Sequence, residues 1–109
     1  MSRTYVDVKI KKSPVLTDIA ARKILSSANY HEVGYRDGYV WKKCFGLLAA
    51  MQYIRLDYQG DTLHISGWIQ TGIGGAAAKE HDLGGRYGTF SKNAVWKTIQ
   101  QIRTEISRL

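Results

Sequence analysis

Apolar and polar residues alternate with a period of two in several short segments, and this pattern constrains the fold more than any other feature of the sequence. The alternation runs through residues 5–10, 52–58 and 62–70. Because successive side chains of a β-strand point to opposite faces of a sheet, each segment is predicted to be a strand with one buried face. The pair Gly60-Asp61, which suits a tight turn, joins the last two of these strands.

A further pair of strands is predicted from the dipeptide Asp37-Gly38, which lies between residues 30–35 and 39–44. Both flanking segments contain aromatic residues. Tight hairpin turns need positive φ angles, which glycine adopts freely and aspartate tolerates better than most residues. These residues are therefore predicted to form a β-hairpin.

Two segments have the spacing of helices. Ser13 offers an N-cap hydroxyl and Pro14 suits the first helical position, so a helix is predicted over residues 14–28. Its predicted buried face has a spacing of four and comprises Leu16, Ala20, Ile24 and Ala28. Ser91 is predicted to cap a final helix over residues 92–108. The predicted buried stripe of that helix comprises Val95, Ile99, Ile102, Ile106 and Leu109.

Residues 71–90 contain six glycines and show no periodicity, and we call them the Gly-rich loop. The predicted order of elements is therefore β-α-β-β-β-β-α. Strands joined by tight turns form an antiparallel meander, and one face of such a sheet has to be covered by the helices. We predict a single α+β domain over residues 1–109, with a meander sheet of about five strands and two helices packed on one face.

This order of elements resembles the TATA-box-binding-protein-like, or helix-grip, architecture. Residues 41–69 (WKKCFGLLAAMQYIRLDYQGDTLHISGWI), followed by the Gly-rich loop and a lysine-containing helix, are similar to a small uncharacterised bacterial domain. In those proteins the domain often lies near a zinc ribbon or membrane helices. Here Cys44 is the single cysteine, and the longest apolar run, residues 44–51, is too short to span a bilayer. The resemblance therefore implies a fold rather than an activity.

The chain of 109 residues is basic, with 16 Lys and Arg against 9 Asp and Glu and a net charge of +7. Most of this excess lies in residues 1–56. It favours an acidic partner such as nucleic acid or an anionic protein face, although such charge can also serve solubility alone. A lone cysteine permits no intramolecular disulfide, and the first residues lack the apolar core of a secretory signal. We therefore predict a cytoplasmic protein without a membrane span.

If the apolar residues of the sheet face the helices, aromatic and basic side chains face the other way. The predicted outward set comprises Tyr5, Lys9, Tyr53, Arg55, His64 and Trp68. Tyr39 and Trp41 are candidate additions to this set. The Gly-rich loop adds two candidate binding cations, Lys79 and Arg86. Rings interleaved with cations can stack on bases and neutralise phosphates, and they are also favoured anchors of protein interfaces. A third interpretation is that some of the rings belong to a core beneath the Gly-rich loop.

Three functions stay open at this point. The pattern favours a non-enzymatic binding module (an adaptor or inhibitor) that acts by protein–protein contact through this sheet face, with another protein or a second copy as partner. The alternatives are a nucleic-acid-binding protein, and a small-ligand carrier or enzyme with its site under the Gly-rich loop. The three histidines lack the spacing of metal ligands and no catalytic constellation is recognised, so we predict neither a metal nor a cofactor.

Overall fold

A computed structural model describes residues 3–35, 38–43, 51–71, 79–84 and 89–109. These parts of the chain form an α+β structure with an antiparallel sheet and two helices. In chain order the elements are β1 (Thr4–Lys9), α1 (Pro14–Ser27), β2 (His31–Tyr35), β3 (Gly38–Lys43), β4 (Met51–Gln59), β5 (Thr62–Thr71), β6 (Lys79–His81) and α2 (Thr89–Arg108). The predicted fold class and order of elements are confirmed, with the short strand β6 as an addition.

β5 pairs with three strands of the described sheet. It pairs with β4 along one side, and with β1 and then β6 along the other. β3 pairs with β4, and β2 pairs with β3. β2 therefore forms one edge of the sheet, while β1 and β6 together form the opposite edge.

The main core lies between the helices and one face of the sheet. The stripe of α2 is confirmed at Val95, Ile99, Ile102 and Ile106, all of which are fully buried, whereas Leu109 is only partly buried. These side chains share one cluster with apolar residues of the strands, namely Val8, Trp41, Ile54, Leu63, Ile65 and Ile69. The predicted alternation in β1, β4 and β5 is therefore correct, because their apolar residues face the helices. Tyr39 and Trp41 of β3 lie on the helix side as well, so they do not belong to the predicted outward set.

The predicted ends of α1 agree with the structure, but its predicted buried face does not. The Ser13 hydroxyl accepts a hydrogen bond of 3.1 Å from the backbone N–H of Val15, as a capping residue does. The residues that α1 buries are Thr17, Ala21 and Leu25, whereas Leu16 is 52% exposed. Apolar residues occur around several sides of α1, so only its packing against α2 selects the side that is buried.

Two further corrections concern the segment that was predicted to be irregular. Residues Lys79–His81 form β6, because they pair with Ile69–Thr71 of β5. A three-residue strand has no periodicity of its own, so only the neighbouring strand reveals it. α2 begins at Thr89, two residues before Ser91, which is therefore a buried residue of the first helical turn rather than the N-cap.

Gly67 on β5 lies directly beneath α2. A Cβ at this position would be 2.6 Å from Ile99 Cδ1 and 3.0 Å from Val95 Cγ1. The Ile99 methyl can move only within a fully buried core, so we expect Gly67→Ala to lower the free energy of unfolding by about 1–2 kcal/mol. Urea denaturation followed by circular dichroism measures this change.

Gly34 on β2 provides the matched control, because no atom lies within 4 Å of the Cβ that an alanine would add there. We expect Gly34→Ala to leave stability unchanged or to raise it by up to about 1 kcal/mol, since alanine restricts the unfolded chain. Equal destabilisation by both variants would contradict the close approach of α2 to Gly67.

Candidate functional site

The face of the sheet opposite the helices, which we call the outer face, carries a cluster of three aromatic rings. Tyr53 of β4 and Trp68 of β5 are cross-strand neighbours, and their rings stack with centroids 5.4 Å apart and planes within 5°. Tyr35 of β2 contacts both rings, at centroid distances of 5.2 and 5.8 Å. Together with Val40 they form a second, smaller core.

A buried ion pair lies on top of these rings. The guanidinium of Arg3 lies 3.8 Å from the centroid of the Trp68 ring and donates two hydrogen bonds of 3.0 Å to Glu80. Tyr35 donates its hydroxyl hydrogen to the same carboxylate at 2.5 Å. The side chains of Arg3 and Glu80 are only 10% and 3% exposed. Burial disfavours the charged form of Arg3, but the hydrogen bond to Glu80 and its negative charge hold the pKa of Arg3 above its ordinary value.

This cluster joins the two edges of the sheet. Tyr35 belongs to the edge strand β2, and Glu80 belongs to β6 at the opposite edge. Their hydrogen bond therefore spans the outer face over β3, β4 and β5. We call the group formed by Arg3, Tyr35, Tyr53, Trp68 and Glu80 the outer-face clamp.

The clamp corrects the predicted exposure of two binding residues. Tyr53 and Trp68 do face away from the helices, as predicted, but they are 4% and 0% exposed rather than open to solvent. Arg3 and Tyr35 lie against them, so their burial comes from the N-terminal segment and from the edge strand β2. No local pattern in the sequence points to Arg3 or Glu80, since their pairing joins positions 77 residues apart.

The remaining predicted residues of the outer face are accessible, but carboxylates accompany them. Tyr5 is 70% exposed. His64 lies in register between Asp7 and Asp57, and its Nδ1 is 2.6 Å from an Asp7 oxygen. This half of the outer face is therefore mixed in charge.

The structure describes the other predicted cations to different extents. Lys9 is exposed, with its ammonium 3.9 Å from Asp61. Arg55 is half-buried on β4. Lys79 belongs to β6, but its side chain lies outside the described residues, and so does the whole of Arg86. Most of the predicted ligand site under the Gly-rich loop lies outside them as well.

A second surface lies between α1 and the adjoining strands. It is a groove of about 560 Å³, and we call it the α1–β3 groove. Its apolar lining comprises Pro14, Val15 and Ile19 from α1, Tyr39 and Trp41 from β3, and Leu56 and Tyr58 from β4. Several of these side chains lie largely in solvent: Val15 is 67% exposed, Ile19 is 58% exposed and Tyr39 is 72% exposed.

A network of polar contacts fixes one wall of the α1–β3 groove. Tyr58 donates its hydroxyl hydrogen to Asp18 at 2.7 Å, and Arg22 donates to Asp18 at 2.7 Å and to Glu32 at 3.1 Å. The guanidinium of Arg22 also lies 5.5 Å from the centroid of the Trp41 ring. Burial raises the pKa of the Tyr58 hydroxyl above its ordinary value, and the bond to Asp18 raises it further. The hydrogen bonds to Asp18 and Glu32 raise the pKa of Arg22.

Sequence reasoning did not select the α1–β3 groove as a site. The available signal was that Val15 and Ile19 fall off the predicted stripe of α1. Apolar side chains on the side of a helix that does not enter the core are candidates for contact with a partner. This signal identifies a candidate surface only when it is known which side of α1 is buried.

Among the residues that the structure describes, no group of three or more His, Cys, Asp or Glu side chains could hold a metal ion. In the same part of the chain, no helix is long and apolar enough to cross a membrane.

Loss of the Glu80 carboxylate from the outer-face clamp is expected to lower the stability of the fold. We expect Glu80→Gln to lower the free energy of unfolding by about 3 kcal/mol, because it leaves the buried guanidinium of Arg3 facing a neutral amide. The control is Asp7→Asn, which removes the carboxylate from the exposed pair with His64 and should lower stability by less than about 1 kcal/mol. Urea denaturation measures both, and a similar small effect of the two variants would argue against a buried ion pair at Glu80.

Comparisons with models of known protein families, with curated protein sequences and with solved structures found no match for this chain.

Proposed function

We propose that this protein is a non-enzymatic binding module that acts through protein–protein contact, and that the contact surface is the α1–β3 groove. The supporting observation is that Val15, Ile19 and Tyr39 are all more than half exposed around one concave surface. Soluble monomers seldom leave such side chains grouped in water, and partners commonly cover them. The buried state of Tyr53 and Trp68 moves the proposed contact away from the outer face.

The partner that we propose for the α1–β3 groove is a second copy of the chain. With a net charge of +7, two copies repel each other over most of their surfaces. Among the described residues, the charged ones that line this groove are Arg22, Arg55, Asp18 and Glu32, whose formal charges sum to zero. Self-association through this surface therefore meets less charge repulsion than the basic parts of the molecule would impose.

The edge strand β2 supports the same choice of partner. β2 lies at one edge of the sheet and adjoins the groove through Glu32. An edge strand offers backbone N–H and C=O groups for pairing, and two copies related by a two-fold axis can pair the same edge with itself. Such pairing would bring the exposed side chains of Val15, Ile19 and Tyr39 from both copies toward one interface.

Sedimentation velocity between ~1 and ~300 µM protein tests this proposal, since this range covers dissociation constants typical of weak and moderate dimers. We expect a concentration-dependent dimer that Ile19→Asp weakens at least about tenfold, because it replaces an apolar contact with a charge that association would have to desolvate. The matched control is Leu16→Asp, which places the same charge on the same helix at a residue that is 52% exposed and does not line the groove. We expect Leu16→Asp to leave the dimer unchanged.

A second pair of variants separates the two candidate contact surfaces. Tyr39 lies in the α1–β3 groove and Tyr5 lies on the outer face, and they are 72% and 70% exposed. We expect Tyr39→Ala to weaken the dimer and Tyr5→Ala to leave it intact. The reverse result would return the contact to the outer face, and a chain that stays monomeric at every concentration would exclude a second copy as the partner.

A further inference from the structure

A second groove lies between α1 and α2, with a volume of about 1020 Å³, and we call it the inter-helix groove. One wall is a face of α2 that presents Lys97, Gln101, Thr104 and Arg108. The other wall belongs to α1 and includes Lys23 and Ser27, and Lys43 of β3 reaches the same space. No aromatic side chain belongs to the described residues that line it.

The charges of the inter-helix groove are unbalanced. The described residues of its lining include four cations, Lys23, Lys43, Lys97 and Arg108, and one carboxylate, Glu105. The only salt bridge among them joins Arg108 to Glu105 at 3.9 Å, within the part of the chain that the structure describes. In that same part of the chain, Lys23 and Lys97 have no carboxylate partner. This distinguishes the groove from the outer face, where carboxylates accompany Lys9 and His64.

Neutral donors accompany these cations. Hydroxyl groups of Ser27 and Thr104 and the amide of Gln101 also line the groove. Gln100 lines it too, and its buried Nε2 has no hydrogen-bond partner in the described structure. Hydroxyl and amide groups beside Lys and Arg form the donor set with which proteins contact phosphate and sugar oxygens.

We infer that the inter-helix groove binds the sugar-phosphate backbone of a single-stranded nucleic acid. Lys97 and Arg108 are eleven positions apart on α2, which separates them by roughly 16 Å along the helix axis, so the groove can follow several successive phosphates of one strand. The absence of rings from the described lining predicts contact through the backbone, with little preference for base sequence.

The cations of the inter-helix groove are suited to contacts with phosphate. Three of the four are lysines, which act as compact point charges on phosphate. The single arginine lies beside Glu105.

Fluorescence anisotropy with a labelled single-stranded oligouridylate tests the inference. The apparent affinity should fall between ~50 and ~200 mM salt with a log–log slope of about −2 to −3, because each phosphate contact on a single strand contributes about −0.7. We expect the double variant Lys23→Gln/Lys97→Gln to weaken binding at least about tenfold at low salt and to make the slope less negative by about 1.4, which is two contacts. Circular dichroism spectra of the variants confirm that they fold.

The matched control neutralises two exposed lysines that do not line the inter-helix groove, Lys11→Gln/Lys12→Gln, and reaches the same net charge. We expect this control to bind nearly as well as the unaltered chain. An equal loss in both double variants would mean that binding reflects net charge alone and would overturn the inference. Stronger competition by polyglutamate than by unlabelled oligouridylate would overturn it in favour of an acidic protein. The oligonucleotide test is separate from the dimerisation test, because Ile19 and Tyr39 line the α1–β3 groove and not the inter-helix groove.

Discussion

The structure depends on the burial of one stripe of α2 against β4 and β5. Val95 and Ile99 lie over Gly67, where the absence of a side chain lets the helix approach the sheet closely. Burial of one such apolar side chain contributes roughly 2 kcal/mol, so this seam holds much of the free energy that stabilises the fold. Because α2 occupies the centre of the sheet, α1 packs mainly against α2 and lies to one side.

The position of α1 creates both grooves. Its face with Val15 and Ile19 turns toward β3, and its face with Lys23 and Ser27 turns toward α2. The first groove is apolar with balanced charges, and the second is polar with an excess of cations. One amphipathic helix thus presents two chemically different surfaces.

The opposite face of the sheet has a different role. Its aromatic rings stack on one another, and the Arg3–Glu80 pair lies over them. A buried ion pair is weak evidence for stability in itself, but loss of one partner leaves a charge in an apolar place. The hydrogen bond from Tyr35 to Glu80 links the two edges of the sheet, and the stacked rings beneath it form a second core.

The sequence by itself determined the two helices, the five longer strands and the orientation of β1, β4 and β5, because local periodicity and turn chemistry decide them. The stripe of α2 from Val95 to Ile106 and the cap at Ser13 are of this kind. Only the tertiary structure decided which side of α1 is buried, that Trp68 is covered, and that Lys79–His81 form a strand. These features arise from contacts between residues far apart in the chain, such as Arg3 with Glu80, and no local pattern specifies such a contact.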